Sequence, residues 1–244
     1  MFIDTHAHLN FAAYVRDRDK VIKECLEENI WLVNIGTNFF TSQKAVEIAQ
    51  KYEQGVYASV GLHPINLATG LIKQKTDHNE LIDDEDSPFE TEFVYEKYKE
   101  LAGNKKVVAI GEIGLDYYWR PKTKQKQEDF KTQQKQLFLE ELRLAKELSL
   151  PVILHCRMAH EDLIEILREQ AVLYSEDFKG IIHCFTGTVE QLKDYLKLGF
   201  LIGINGIIFK MDLTSQIKMI PLDKMVLETD CPYLSPPGYN ENRN

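Results

Sequence analysis

Short β-rich apolar runs alternate with amphipathic helical patterns along most of this chain, and that alternation limits the possible folds more than any other feature. The runs fall at 2–8, 31–36, 56–62, 106–112, 151–155, 180–184, 200–204 and 224–230. Between them apolar residues recur at helical spacing: Val21, Ile22, Cys25 and Leu26; then Leu137, Phe138, Leu144, Ala145 and Leu148; then Leu163, Ile164 and Leu167; then Val189, Leu192 and Leu196. Such a pattern predicts an α/β fold of parallel strands joined by right-handed crossovers. Eight strands in 244 residues match the size of a (β/α)8 TIM barrel, one domain over residues 1–244. A doubly wound open sheet is the alternative. Its dinucleotide-binding version needs a glycine fingerprint after the first strand, and HAHLNFAAY contains no glycine. After the eighth run only CPYLSPPGYNENRN remains, so the last helix of the barrel is expected to be absent or truncated.

The hydrophobic fraction of 44% is enough for a sizeable core. No apolar run reaches bilayer-spanning length, and the N-terminus enters Phe2-Ile3-Asp4 without a charged leader. A cytoplasmic protein with no membrane partner is expected. The four cysteines, Cys25, Cys156, Cys184 and Cys231, form no CxxC pair, which argues against a zinc ribbon or a thioredoxin-like motif. They read as small buried hydrophobes.

The net charge of −9 disfavours a broad basic face for gripping long duplex DNA. The charge is uneven, however. Residues 76–92 carry eight acids and no Lys or Arg, and without them the balance is −1. Residues 120–131 (RPKTKQKQEDFK) instead concentrate Arg120, Lys122, Lys124, Lys126 and Lys131. They read either as a local phosphate-binding surface or as a solvated helix start.

The first run, MFIDTHAHLN, places Asp4, His6 and His8 on one side of a strand. A half-buried strand with a wet face explains that triplet as well as a metal clamp does, until the other strand ends are considered. SVGLHP brings His63, AIGEIGLD brings Glu112 and Asp116, VILHCR brings His155 and Arg157, IIHCF brings His183, and LETD brings Asp230. Five of the seven histidines stand at these ends; His78 and His160 do not. Barrel enzymes gather their catalytic residues at the C-terminal ends of the strands. His6, His8, His155 and His183 with Glu112 and Asp230 exceed the three or four protein ligands of one catalytic metal. They suit two divalent ions about 4 Å apart, with Glu112 as the bridge. Mixed nitrogen and oxygen ligation suits Zn²⁺, Mn²⁺ or Fe, and a more open site suits Mg²⁺. Such a pair can activate water for attack on phosphorus, with Asp230 accepting the proton.

In this order IDTHAHLN, GLHP, GEIGLDYY, LPVILHCR, HCFTG and LETDCPYL resemble the TatD family of metal-dependent deoxyribonucleases, within the amidohydrolase-like TIM-barrel hydrolases. The resemblance runs from residue 2 to about residue 240. It implies that His6, His8, Glu112 and Asp230 hold one metal and that Glu112, His155 and His183 hold the other. It also implies that His63 and Arg157 contact substrate phosphate. The implied activity is cleavage of DNA phosphodiesters, often 3′→5′. Asp116 and Tyr117 join His63 and Arg157 as substrate-binding candidates. Tyr117, Tyr118 and Trp119, next to the basic run, suggest a stacking platform for single-stranded or frayed 3′ ends. The expected partner is therefore DNA, and the expected state is a monomer. Two departures stand out: Asn240-Glu241-Asn242 begins a segment that the family usually continues into a helix, and the acidic stretch after GLHP is longer than usual. An ester or amide hydrolase, such as an aminoacyl-tRNA deacylase, is the alternative. Glu112 stands where many amidohydrolases carry a bridging lysine, which favours the nuclease branch.

Overall fold

A computed structural model describes residues 1–72, 78–80, 92–175, 178–239 and 243–244. The eight strands are β1 (Phe2–Ala7), β2 (Ile30–Ile35), β3 (Val56–Val60), β4 (Val107–Asp116), β5 (Val152–Arg157), β6 (Gly180–Ile182), β7 (Leu201–Ile204) and β8 (Met225–Leu227). They form one sheet in sequence order, and each neighbouring pair is parallel. A bridge from Ala7 to Cys231, just past β8, nearly closes the barrel. The alternation in the sequence thus becomes a TIM barrel, not an open sheet.

Among the described residues seven α-helices lie between the strands: α1 (Arg18–Glu27), α2 (Phe39–Gln50), α3 (Tyr95–Ala102), α4 (Lys124–Leu148), α5 (His160–Tyr174), α6 (Val189–Lys197) and the single turn α7 (Thr214–Ile217). Among the described residues no helix follows β8. Residues 240–242 lie outside the described residues, as does most of the acidic 76–92 stretch. Capping boxes start α2 at Asn38 and α6 at Thr188, giving otherwise orphaned N–H groups side-chain acceptors. Among the described residues no helix is long and apolar enough to cross a membrane.

The large apolar cluster joins strand residues such as Val60 and Leu154 to helix residues such as Ile22, Phe138, Leu163 and Leu192. Each fully buried Leu, Ile or Phe contributes about 1.5–3 kcal/mol. A small second cluster of Val33, Ile35, Ala109 and Ile153 comes from strands alone.

Two polar residues interrupt the apolar face of α4, and both hold strand ends in place. The Gln134 amide accepts from Asp116 N (2.8 Å) and donates to Asp116 O (3.0 Å). Glu141 Oε1 accepts from Leu62 N (2.8 Å), one residue before His63. The long helix therefore fixes the backbone at two points of the barrel mouth. Gly114 allows the last turn of β4: its φ is +133°, and a Cβ there would lie 2.2 Å from His155 O.

Candidate metal centre

The strands deliver their C-terminal residues to one mouth. His6 lies in β1 and His8 just after it, Glu112 in β4, and His155 in β5; His63, His183 and Asp230 follow β3, β6 and β8. Glu112 sits at the middle. Its Oε2 is 3.3 Å from His6 Nε2 and 3.9 Å from His8 Nε2. Its Oε1 is 2.8 Å from His155 Nδ1, 3.5 Å from His63 Nε2 and 3.9 Å from His183 Nε2. One carboxylate thus presents an oxygen to each of two histidine groups. Asp230 Oδ1 faces His8, His183 and His6 at 3.5, 3.7 and 3.8 Å.

Among the described residues three groups have ligand atoms mutually within 4.8 Å: His6–His8–Asp230, His6–Glu112–His183 and His63–Glu112–His155. All six residues expected to hold metal are included, and His63 joins them. The donor chemistry fits a metal. The Nε2 atoms of His6 and His8 are 3.1 Å apart. His8 donates from Nδ1 to Ile35 O at 3.1 Å, which turns its Nε2 lone pair toward the centre. His6 Nδ1 is buried and has no hydrogen-bond partner among the described residues. The His6 and His183 rings stack 3.4 Å apart. Converging lone pairs with carboxylates behind them match what a divalent cation requires.

Among these side chains alone the charges are already sorted. Burial pushes the Glu112 carboxyl up, but His63, His6 and His155 outweigh it and hold it well below its usual range. Burial likewise opposes ionisation of Asp230, and His183, His8 and His6 overcome it. Burial, followed by the neighbouring His183, takes His6 down to about 4. For His155 burial is outweighed by Asp116 and Glu112, which take it to about 9. For His183 burial is outweighed by Glu228, Asp230 and Glu112, which take it to about 10.

Sequence reasoning missed Glu228, which stands two residues before Asp230 in LETD. Its Oε1 accepts from Cys184 N (2.6 Å) and Asn205 Nδ2 (3.2 Å) and lies 2.9 Å from His183 Nδ1. It orients His183 from behind. A Cβ at Gly203 would come within 2.3 Å of Glu228 Oε2, so the small residue in β7 makes room for this carboxylate. Asp4 does not reach the centre, although it shares the strand face of His6 and His8. Its carboxylate accepts from His6 N (3.1 Å), Thr229 N (3.0 Å) and Thr229 Oγ1 (2.7 Å), tying β1 to the segment after β8.

The substrate-binding candidates separate into two sets. His63 and Arg157 line a cavity of about 700 Å³ at the mouth. Asp116 is buried beneath them: its Oδ2 contacts His155 Nε2 (3.1 Å), Arg157 Nε (2.8 Å) and an Arg157 terminal nitrogen (2.6 Å). Its position suits orienting Arg157 rather than touching a substrate. Tyr117 is only 8% exposed and donates its hydroxyl to Asp162 at 2.7 Å. Of the three consecutive aromatics Tyr117, Tyr118 and Trp119, it is Tyr118, 53% exposed, that lines the cavity, with its ring 4.5 Å from the Arg157 guanidinium. Backbone alternation turns Tyr117 into the core and Tyr118 toward the cavity. Glu80, from the acidic stretch, also lines the cavity and accepts from Thr37, Asn38 and Asn66.

A barrel with convergent His, Glu and Asp at its C-terminal mouth defines a metal-dependent hydrolase. The family model for TatD-related DNases matches residues 3–244, and this chain belongs to that family. It is 35% identical over 248 residues to an uncharacterised metal-dependent hydrolase, YabD, of Bacillus subtilis, covering 100% of this chain and 85% of that one. It is 31% identical to the 3′-5′ ssDNA/RNA exonuclease TatD of Shigella flexneri over 239 residues, covering 96% and 80%. Among solved structures, the TatD homologue YjjV of Escherichia coli superposes with a TM-score of 0.76 at 28% identity, covering 100% of this chain and 84% of that one.

Proposed function

We propose that this protein is a cytoplasmic 3′→5′ exonuclease that hydrolyses phosphodiesters of single-stranded or frayed DNA with two divalent metals. The observation that carries the reading is Glu112, with one oxygen toward His6 and His8 and the other toward His155 and His63. His6, His8, Glu112 and Asp230 would hold one ion, and Glu112, His155 and His183 the other. When bound, such a pair supplies Lewis acidity and lowers the pKa of water.

The chain's own residues supply the remainder. Ile65 N donates to His63 Nδ1 at 3.1 Å, so neutral His63 carries its proton on Nε2. Burial lowers the pKa of His63 and so keeps it neutral. His63 therefore offers an N–H to an anionic phosphate oxygen and no lone pair to a metal. Asp116 anchors one side of the Arg157 fork and leaves the rest for a second oxygen. Asp230 is the more open of the two carboxylates, with 17% side-chain exposure against 6% for Glu112. That suits it to accept the proton of the attacking water. The Shigella relative is named for RNA as well as ssDNA, and a neutral donor on phosphate does not discriminate between the two sugars.

The test is hydrolysis of matched 3′-labelled and 5′-labelled single-stranded DNA, RNA and blunt duplex after metal reconstitution, beside a panel of esters and amides. Stepwise loss from the 3′ end of single strands is expected. Ester or amide turnover without phosphodiester cleavage would overturn the reading.

A further inference from the structure

A second cavity of about 210 Å³ lies beside the first. Trp119, Arg120, Gln127 and Lys131 line it, and Met158 lines both cavities. A ladder of contacts runs from the metal centre toward it. His155 contacts Asp116, Asp116 contacts Arg157, and the Arg157 guanidinium lies 4.5 Å from the Tyr118 ring. The Tyr118 and Trp119 rings follow, 5.2 Å apart and at 89° to one another. Tyr118 faces the first cavity and Trp119 the second.

The charge here runs against what the fold alone asks for. Helix α4 starts at Lys124 and has no acid in its first turn. Arg120, Lys122, Lys124 and Lys126 instead crowd a helix end whose dipole is already positive, where acids are the stabilising choice. Among the described residues Arg120 makes no ion pair. Lys131 meets Glu128 at 3.2 Å in a partly exposed pair, a weak contact that an incoming anion can replace. In a chain of net charge −9 this is a local positive pocket, walled by an aromatic ring and sharing Met158 with the cavity at the candidate active site.

We propose that this second cavity binds a trailing backbone phosphate of single-stranded nucleic acid, held by Arg120 and Lys131, with an intervening base laid on Tyr118. The assignment rests on the nucleic-acid reading of the metal centre and extends it by a subsite that measures strand length. A dinucleotide spans the first cavity only, and a longer strand reaches both.

The test uses the R120A/K131A double variant of the full chain, whose changes lie in the loop before α4 and near that helix's start. Binding of fluorescein-labelled oligodeoxynucleotides of two, four and eight residues is read by anisotropy in EDTA, and hydrolysis of the same strands is read after metal reconstitution. The wild-type preference for the octamer over the dinucleotide is expected to fall about tenfold in both readouts. The salt slope of octamer binding should drop by about 0.7 for each phosphate contact removed. Tyr118→Ala should reduce tetramer and octamer binding together. An unchanged length preference and salt slope in the double variant would overturn the subsite while leaving the nuclease reading intact. Length-dependent binding without cleavage would overturn the nuclease reading and leave the subsite standing. A wild-type protein that binds no oligonucleotide would overturn both.

Discussion

The mouth of the barrel and the β8–β1 seam are built to different standards. At the mouth, ligand candidates from five strands converge, and three of them are backed by a buried partner: Ile35 O behind His8, Asp116 behind His155, Glu228 behind His183. The seam has a three-residue β8 and one isolated bridge, and Phe2, Ile3 and Leu227 are 65%, 44% and 54% exposed. Yet the two regions share a residue. Asp4 holds Thr229 across the seam and the backbone N–H of His6, a ligand candidate. Precision at the mouth thus depends on a few polar ties, while apolar packing of the seam matters less to the chemistry.

The strongest way to break the mouth without touching the seam is Glu112→Ala. It removes the carboxylate that faces both histidine groups. Turnover of single-stranded DNA should fall at least a hundredfold, on the order of 3 kcal/mol in the barrier. Elemental analysis of the purified variant should show metal loss, while thermal unfolding remains cooperative. Near-normal hydrolysis by this variant would end the two-metal account.

Next in size is Arg157→Lys, expected to retain metal and lose about tenfold or more in turnover, roughly 1.4 kcal/mol. An ammonium cannot reproduce a fork that grips Asp116 with one edge and leaves the other for the proposed phosphate contact. His63→Ala should behave likewise. Metal loss on changing His63 would place it among the ligands, in line with its proximity to Glu112 and His155.

Asp4→Ala tests the link between the two regions. It leaves Thr229 and the His6 N–H without their acceptor, and each buried group so stranded costs about 1–3 kcal/mol. A lower melting temperature together with weaker metal binding is expected. By contrast, Arg243→Ala cuts the Arg243–Asp17 pair near the seam (2.6 Å), which is about one third exposed. Its cost should stay near 1 kcal/mol or below, with metal binding unchanged. If both variants lost metal equally, the seam as a whole would control the mouth.

Much of this was legible in the chain. The strand-helix alternation carries the barrel because parallel strands buried on both faces must be uniformly apolar. The ligand candidates showed because histidines are otherwise rare at apolar strand ends. What stayed hidden is what acts through neighbours distant in sequence. Glu228 looked like ordinary polarity in LETD until His183, Cys184 and Asn205 were seen around it. Asp116 and Tyr117 were placed near the substrate by adjacency, but a strand continuing through Asp116 buries both. Gln134 and Glu141 carried no signal, because inward polar residues on a helix resemble interruptions of its apolar face.

Glu141 also offers the finest test of the contrast, because it tells whether order at the mouth is gained at the expense of stability. Its side chain is fully buried, with Oε1 on Leu62 N and Oε2 without a hydrogen-bond partner among the described residues. Burial pushes its pKa well above 4.5, the Leu62 contact opposing only in part. The folded state therefore holds this proton more tightly than the unfolded chain does. The stability it contributes is complete below about pH 4.5 and is lost as pH rises through the folded-state pKa. Glu141→Gln keeps a carbonyl for Leu62 N and removes the titration. Urea unfolding of both proteins in EDTA, from pH 4 to pH 8, should show the Gln variant gaining on the wild type as pH rises. The gain should be on the order of 1 kcal/mol per pH step of one between the unfolded and folded titrations of Glu141. The difference measured at pH 4 is the reference, since Glu141 is then neutral in the folded state and mostly protonated in the unfolded chain. Parallel pH profiles would mean that Glu141 ionises without penalty, and the mouth would then owe its order to Leu62 and Gln134 at no expense to the core.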